Sequence, residues 1–351
     1  MKFAAIDYNI TNYNLQRLYV ERDNIMLPGF PLDPPECRQK RLTHALDDTI
    51  SDCMQLLLPE MNAFRDTESS LHQLNNIGNF QPNYSSESLS ILYAAEFHAR
   101  KSFDALCYMP TIFCDLLRDR PVVIDLAAGT GAVETAFRTF ALASRLNFDF
   151  EPVRWLSIDS SAQMLDMGGR IRQMVFESPK QFFVQHDCHE GPTTFEGDRL
   201  LPANVVATDH CLDWRDASAF AEIPTGAVVF GANLLDSEYC DDASRQIVNL
   251  LTRTNARACA VWNFGSTRKK RQIQLLREGL ETNGWKRIAI RKWTCEWRGE
   301  LSQVWKLCQK VGLVSSEGMA RRGYLSHQPS WGGRFPNCET AFLLNPQYAE
   351  I

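Results

Sequence analysis

The sequence predicts an α/β fold: a mostly parallel sheet with helices on both faces, preceded by a helical extension. Three observations carry that reading. Short apolar runs alternate with stretches of helical periodicity through most of the chain, the pattern of strands joined by crossover helices. The run Val122-Val123-Ile124 is β-branched with no internal polarity, as expected of a strand buried on both faces. Directly after it, Asp125-Leu126-Ala127-Ala128-Gly129-Thr130-Gly131 leads into helical periodicity from Ala132 onward. Strand, glycine turn and helix make a loop suited to a small ligand. Glycines lack Cβ, so a ligand can approach the backbone and φ can be positive, and the first amides of the helix point toward it.

Residues 1–35 are polar, rich in Asn and Tyr and interrupted by Pro28, Pro31, Pro34 and Pro35, which predicts an extended or loosely docked arm. Over 37–64, Leu42, Leu46, Ile50, Cys53 and Leu57 recur at helical spacing, and 66–84 read as a polar loop. Ser85 or Ser86 is placed to cap a helix with Leu92, Ala95, Ala99, Phe103 and Leu106 on one face; Pro110 breaks or kinks it before a further turn at 111–117. The division expected is an arm and helical extension over 1–84 and an α/β domain over 85–351.

The helix after the glycine turn turns Val133, Phe137, Phe140 and Ala141 toward the sheet. A second strand, Arg154 to Asp159, is followed by Ser160-Ser161-Ala162-Gln163, a capping-box pattern beginning at Ser160. The helix it opens carries Met164, Met167, Ile171, Met174 and Val175, read as core. The third strand is either 182–187 or 204–209. A fourth strand with its loop spans 227–235, a fifth 258–264, a sixth 285–293 and a seventh 339–344, with helices at 244–252 and 268–282. Asn283-Gly284 is a good stop for the second of these. Residues 294–337, far more than a hairpin needs, form an insertion.

The chain has 351 residues, 44% of them hydrophobic, enough for one large core or a core with an appendage. A net charge of −5 and a pI near 5.9 give no global basic excess of the kind that marks nucleic-acid binders. No apolar run approaches 18 residues, and the apolar stretch after Met1 is too short for a secretory signal. Eleven scattered cysteines with no C-x-x-C suit reduced thiols, so a cytoplasmic protein is expected. His186, Asp187, Cys188, His189, His210 and Cys211 match no standard zinc spacing, and no metal is expected.

Two cofactor families use a turn of this kind. The dinucleotide fingerprint wants a third glycine and an acid about 20 residues on; here the third position is Glu134 and the next strand-end acid, Asp159, lies 28 residues past Gly131. The stretch instead resembles the first motif of the class I S-adenosylmethionine-dependent methyltransferases, hydrophobic-D-x-x-x-G-x-G. Leu156-Ser157-Ile158-Asp159-Ser160-Ser161-Ala162-Gln163-Met164-Leu165 is similar to the second. The resemblance covers residues 85–293 and the last strand. It implies a seven-stranded, mostly parallel sheet, S-adenosyl-L-methionine as cofactor, and N-terminal helices that cover cofactor and acceptor.

The resemblance also implies roles. Gly129 and Gly131, with Ala127, would admit the methionine moiety and ribose; Asp159, with Ser160, would hold the ribose hydroxyls; Asp125 would orient the loop or meet the ammonium group. Asp187 or Asp209 would read the adenine. Asn233 and Asp236, in the loop after the fourth strand, would face cofactor and acceptor, Asp236 either as a base or as a helix cap. The N/D-P-P-Y/F signature of many amino-methylating enzymes is absent there. Arg100, in His98-Ala99-Arg100-Lys101, would meet an anionic group or lie on a solvated helix face. Tyr324, Trp331 and Arg334 would wall an acceptor pocket or form an ordinary packed loop. A small-molecule acceptor is the expectation. The competing one is a methyltransferase-like protein that binds RNA or a ribosomal partner through Arg268, Lys269, Lys270 and Arg271, a run otherwise read as solvated. Tyr108-Met109-Pro110 and Met164-Leu165-Asp166-Met167-Gly168 faintly resemble a ribosome-associated family of that kind, whose cysteine cluster this chain lacks.

Overall fold

The computed structural model of the chain describes residues 53–57, 59–60, 67–75, 84–117, 122–143, 153–177, 205–216, 224–232, 234, 242–264, 267–290 and 338–348. Its strands are β1 (Val123–Leu126), β2 (Val153–Asp159), β3 (Val205–Cys211), β4 (Val228–Ala232), β5 (Ala258–Phe264), β6 (Lys286–Arg287) and β7 (Cys338–Leu344). They form one sheet in the order β3-β2-β1-β4-β5-β7-β6. β7 runs antiparallel to both its neighbours; the pairs from β3 across to β5 are parallel. This is the class I methyltransferase fold that the two motifs imply.

The helices are α1 (Thr67–Asn75), α2 (Glu87–Tyr93), α3 (Ala99–Leu106), α4 (Ala132–Ala143), α5 (Ala162–Arg172), α6 (Ala243–Arg253) and α7 (Thr267–Thr282). Strand alternation sorts the sheet's side chains onto two faces. Val123, Trp155, Phe230, Ala260, Trp262 and Phe342 pack with α2, α4 and α5 in one core. Ile124, Leu126, Ile158, Val229, Val261 and Leu343 pack with α6 and α7 in the other. Residues 53–57 are helical, and Met54, Leu57 and Leu74 are buried in the first core beside the sheet residues. The described part of the N-terminal extension is thus packed into the same core as the sheet.

Several expectations are corrected. Residues 67–75 form α1, not a loop. Their polar look has a reason: Ser70 is fully buried, and its hydroxyl joins those of Ser86 and Ser88. Ser86 caps α2, its side chain accepting from the Leu89 amide. Pro110 lies in the first turn of a new segment, Met109–Thr111, where its missing N–H costs nothing. The cap of α5 is Ser161 and not Ser160, its Oγ accepting from the Met164 amide. The third strand is the later candidate; residues 182–187 lie outside the described residues. β6 is shorter than expected, two residues followed by one more bond from the Ile288 amide to the Phe342 carbonyl.

Trp155 is one of two fully buried tryptophans among the described residues, edged by Phe137 at 5.0 Å and Phe230 at 5.7 Å between ring centroids. Trp155→Ala is expected to lower stability by about 3–5 kcal/mol. Trp155→Phe should do far less damage, because the indole N–H has no hydrogen-bond partner and its loss leaves nothing newly unpaired. Urea unfolding of the two variants checks the contrast.

Candidate functional site

The site is built at the C-terminal ends of β1 and β2, where open parallel sheets bind ligands. β1 runs two residues further than the apolar run, through Asp125 to Leu126. The chain then takes left-handed conformations at Ala127 (φ 53°), Gly129 (φ 56°) and Gly131 (φ 73°). Ala127 is the strained member, because a Cβ disfavours that region. Backbone bonds tie the turn down. The Ala128 amide donates to the Ile158 carbonyl at 3.1 Å, the Gly131 amide to the Ala128 carbonyl at 2.9 Å, and the Thr135 amide to the Gly131 carbonyl at 2.9 Å.

Asp159 ties this turn to β2. Its Oδ2 accepts from the Gly129 amide and its Oδ1 from the Ser161 amide, both at 2.9 Å. Burial pushes its carboxyl up; the amides of Ser161 and Gly129, the Lys101 charge and the Ser160 amide pull it back. A carboxylate offers about four acceptor positions, so Asp159 retains capacity for a ligand's hydroxyls. Ser160 is exposed at the strand tip beside it.

Asp125 is 1% exposed, and neither carboxyl oxygen has a hydrogen-bond partner. It faces the first core, level with Ser157 of β2 and Phe230 of β4; the Ser157 hydroxyl is also unpartnered. Burial raises the Asp125 carboxyl well above its ordinary range, the charges of Glu134 and Asp159 add to this, and Lys101 opposes them. Lys101 therefore lies within electrostatic reach of both acids. It is half-buried, donates to the Tyr93 hydroxyl and sits 5.0 Å from the centre of that ring.

Helix α5 packs closely on the turn. A Cβ on Gly168 would lie 3.1 Å from the Thr130 carbonyl carbon, so any larger residue there would push the turn aside by a few tenths of an ångström. Gly168 lay within a motif fragment in the sequence, but nothing local marks it as the seat of the turn. Glu134, which stands where a dinucleotide fingerprint would have glycine, is buried in the first turn of α4. It accepts from Arg138 Nε at 2.7 Å and Arg172 Nε at 3.1 Å, and an acid there is favoured by the helix N-terminus.

Asp209 is not at the strand tip. β3 continues to Cys211, opposite Asp159, and the Asp209 carboxylate is engaged by Arg172, with Nη2 to Oδ1 at 2.9 Å. That pairing joins β3 to α5. The segment at the tip is Leu212 to Trp214: the Leu212 amide donates to the Asp159 carbonyl, and Leu212 and Trp214 are half-buried. His98 is fully buried and not on a solvated face. The Arg100 side chain lies outside the described residues, as do Asp187, Asn233, Asp236, Tyr324, Trp331 and Arg334. In the basic run, the side chains of Arg268 and Lys269 are also outside them; Arg271 is exposed, and Lys270 faces Glu339 at 3.6 Å, a carboxylate it shares with Arg277. Among the described residues no cluster of three or more His, Cys, Asp and Glu could hold a metal, and no helix is long and apolar enough to cross a membrane.

No protein-family model matches the sequence, and no curated protein matches it. Among solved structures, the chain is similar to magnesium protoporphyrin IX methyltransferase from Synechocystis PCC 6803 with bound SAM. That likeness has 14% identity over 61% of this chain and 80% of the other, with a TM-score of 0.33. It is similar to a cyclopropane-fatty-acyl-phospholipid synthase-like protein from Lactobacillus casei ATCC 334 (12% identity, 72% and 93% covered, TM-score 0.36). It is also similar to a plantazolicin methyltransferase solved with a triazolic desmethylPZN analog and SAH (11% identity, 86% and 99% covered, TM-score 0.33). Likeness at this level says nothing of the chemistry.

Proposed function

We propose that the chain is an S-adenosylmethionine-dependent methyltransferase. The observation that carries the proposal is the pairing of a left-handed glycine turn with two acids of opposite character. Asp159 is anchored on the turn and retains acceptor capacity, whereas Asp125 is buried with both oxygens unpaired. A buried carboxyl without a partner is unfavourable in isolation and favourable beside a cation. The ammonium of a methionine moiety is such a cation. An added Cβ at Gly129 would meet the Met164 methyl at 3.7 Å and the Ala127 carbonyl oxygen at 4.0 Å, ordinary van der Waals distances.

In this reading Asp159 accepts from the ribose hydroxyls, Ala127 to Gly131 pass beneath the methionine moiety, and Asp125 faces its ammonium. Leu212 to Trp214, at the tip of β3, face the adenine in place of Asp209, with Asp187 the other candidate to read it. S-adenosylmethionine supplies a methyl group on a sulfonium, already activated for in-line displacement, so positioning carries much of the rate. Asn233 and Asp236, directly after β4, remain the acceptor-side candidates, and Asp236 serves as a base only if the acceptor keeps its proton at neutral pH. The narrower form of the proposal is a small-molecule acceptor, supported by the acidic charge balance and the aromatic, glycine-rich insertion. No observation favours the RNA-binding alternative, since Lys270 is turned toward Glu339.

Calorimetry tests the core of it. Binding of S-adenosylhomocysteine is expected with Kd on the order of 10 μM; no heat at millimolar ligand overturns the proposal. A metabolite and macromolecule screen with methyl-labelled cofactor then finds the acceptor.

A further inference from the structure

His98 stands outside everything assigned above. It ends a π-helical turn, Ala94–His98, inserted between α2 and α3; such bulges inside helices often mark functional positions. The ring is fully buried and both nitrogens are engaged, Nδ1 with the Thr130 hydroxyl at 2.9 Å and Nε2 with the Thr135 hydroxyl at 3.0 Å. Thr130 lies between the two left-handed glycines, and Thr135 lies in the next helix. One imidazole therefore spans the cofactor turn and the helix it opens, from an element 32 residues upstream. Burial pushes the imidazole down to about 3; its hydrogen bond to the Thr130 backbone opposes this, and the Lys101 charge adds to it. The ring is thus neutral at physiological pH, one nitrogen donating and the other accepting. Whichever nitrogen carries the proton, one threonine hydroxyl accepts from the ring and the other donates to it.

We infer that His98 is a positioning residue for the cofactor turn: through Thr130 it holds Gly129 and Gly131 in the left-handed geometry that admits the methionine moiety. The case is geometric. The turn's amides are tied to β2 through the Ile158 carbonyl and the Asp159 carboxylate. The Thr130 hydroxyl is met by His98 instead. The same covering segment is fastened to the second loop, where the Ser161 hydroxyl donates to the Tyr84 carbonyl at 2.5 Å. The N-terminal helices are therefore joined to both ligand-binding loops, and His98 is the side-chain link to the first.

The inference rests on the proposed cofactor, so its test has a ligand-free arm. The turn amides of Ala128, Gly129 and Gly131 are all bonded, so their exchange reports opening of the turn. In hydrogen exchange read by mass spectrometry on the free protein, His98→Ala and His98→Leu are expected to speed exchange of the peptide spanning 122–131 at least tenfold. His98→Asn, which returns a donor near the Nδ1 position, should restore most of the protection. Leu92→Ala, a buried apolar truncation on α2, serves as the control that lowers melting temperature by another route and leaves turn exchange within twofold. Calorimetry with S-adenosylhomocysteine should show the same ranking, at least tenfold weaker for His98→Ala and within twofold for Leu92→Ala. Unchanged exchange in His98→Ala, or an equal gain in Leu92→Ala, overturns the inference. If the unaltered protein binds no S-adenosylhomocysteine, the cofactor reading falls, and the exchange arm still decides whether His98 holds the turn.

Discussion

Asp159→Ala is expected to weaken S-adenosylhomocysteine binding at least a hundredfold, about 2.7 kcal/mol, the largest effect of any single substitution in the site. Two losses add. The first is the acceptor for the ribose hydroxyls, a hydrogen bond to a charged group worth roughly 1.5–3 kcal/mol. The second is the anchor of the turn, because Gly129 and Ser161 both donate to this carboxylate. Removing it leaves two amide donors to find other partners and frees the glycine turn to sample conformations that do not bind. Asp159→Asn separates the two. It keeps one carbonyl oxygen, which can satisfy one amide, and loses the charge, so an intermediate loss of about tenfold is expected, about 1.4 kcal/mol. Calorimetry well below each variant's melting temperature, with circular dichroism to show both are folded, makes the comparison. Asp159→Ala binding as tightly as the unaltered protein would remove the acid from the site and leave only its structural role between β1 and β2.

The ordering of effects shows which parts of the site can be read without coordinates. The β1 turn is legible because its signal is local: an apolar run, an acid and two glycines within ten residues, each needed by backbone geometry. Asp159 is legible for the same reason, an acid closing a short strand ahead of a capped helix. Asp209 is not. Its assignment depends on where β3 ends, and the strand runs two residues past it, so that Asp209 turns to Arg172 on α5. A strand end is poorly marked in a run such as Ala207-Thr208-Asp209-His210-Cys211, where polar and small residues continue to the tip. His98 fails for a different reason. Beside Arg100 and Lys101 it reads as part of a charged helix face, and only its partners, Thr130 and Thr135, show that it is internal. The helix at Thr67–Asn75 hides likewise, since its buried face uses the Ser70 hydroxyl, whose partners Ser86 and Ser88 come later in the chain. Local chemistry is written locally; anything that depends on a partner tens of residues away must wait for the fold.

Asp125 gives the second large effect, a dependence of affinity on pH. Its carboxyl lies far above the usual carboxylate range in the free protein, first through burial, then through the charges of Glu134 and Asp159, with Lys101 opposing. Glu134 is itself held by Arg138 and Arg172. The sign follows from the proton count. The folded free protein holds a proton on Asp125 that the unfolded chain releases near pH 4, so this group lowers stability progressively as pH rises above that value. A ligand ammonium against Asp125 favours the ionised form, so binding releases the proton. Affinity should therefore climb with pH, by up to about tenfold per unit, from the ordinary carboxylate range up to the raised value in the free protein. Calorimetry in two buffers of different ionisation enthalpy, at a pH inside that window, is expected to show close to one proton released per S-adenosylhomocysteine bound. Adenosine, which carries no ammonium, should release none. Asp125→Asn should bind S-adenosylhomocysteine without proton release, lose the pH slope, and give a free protein whose stability no longer falls through the window. If the variant keeps both the slope and the proton release, the titrating group lies elsewhere, and Asp125 is a buried carboxyl that meets no cation.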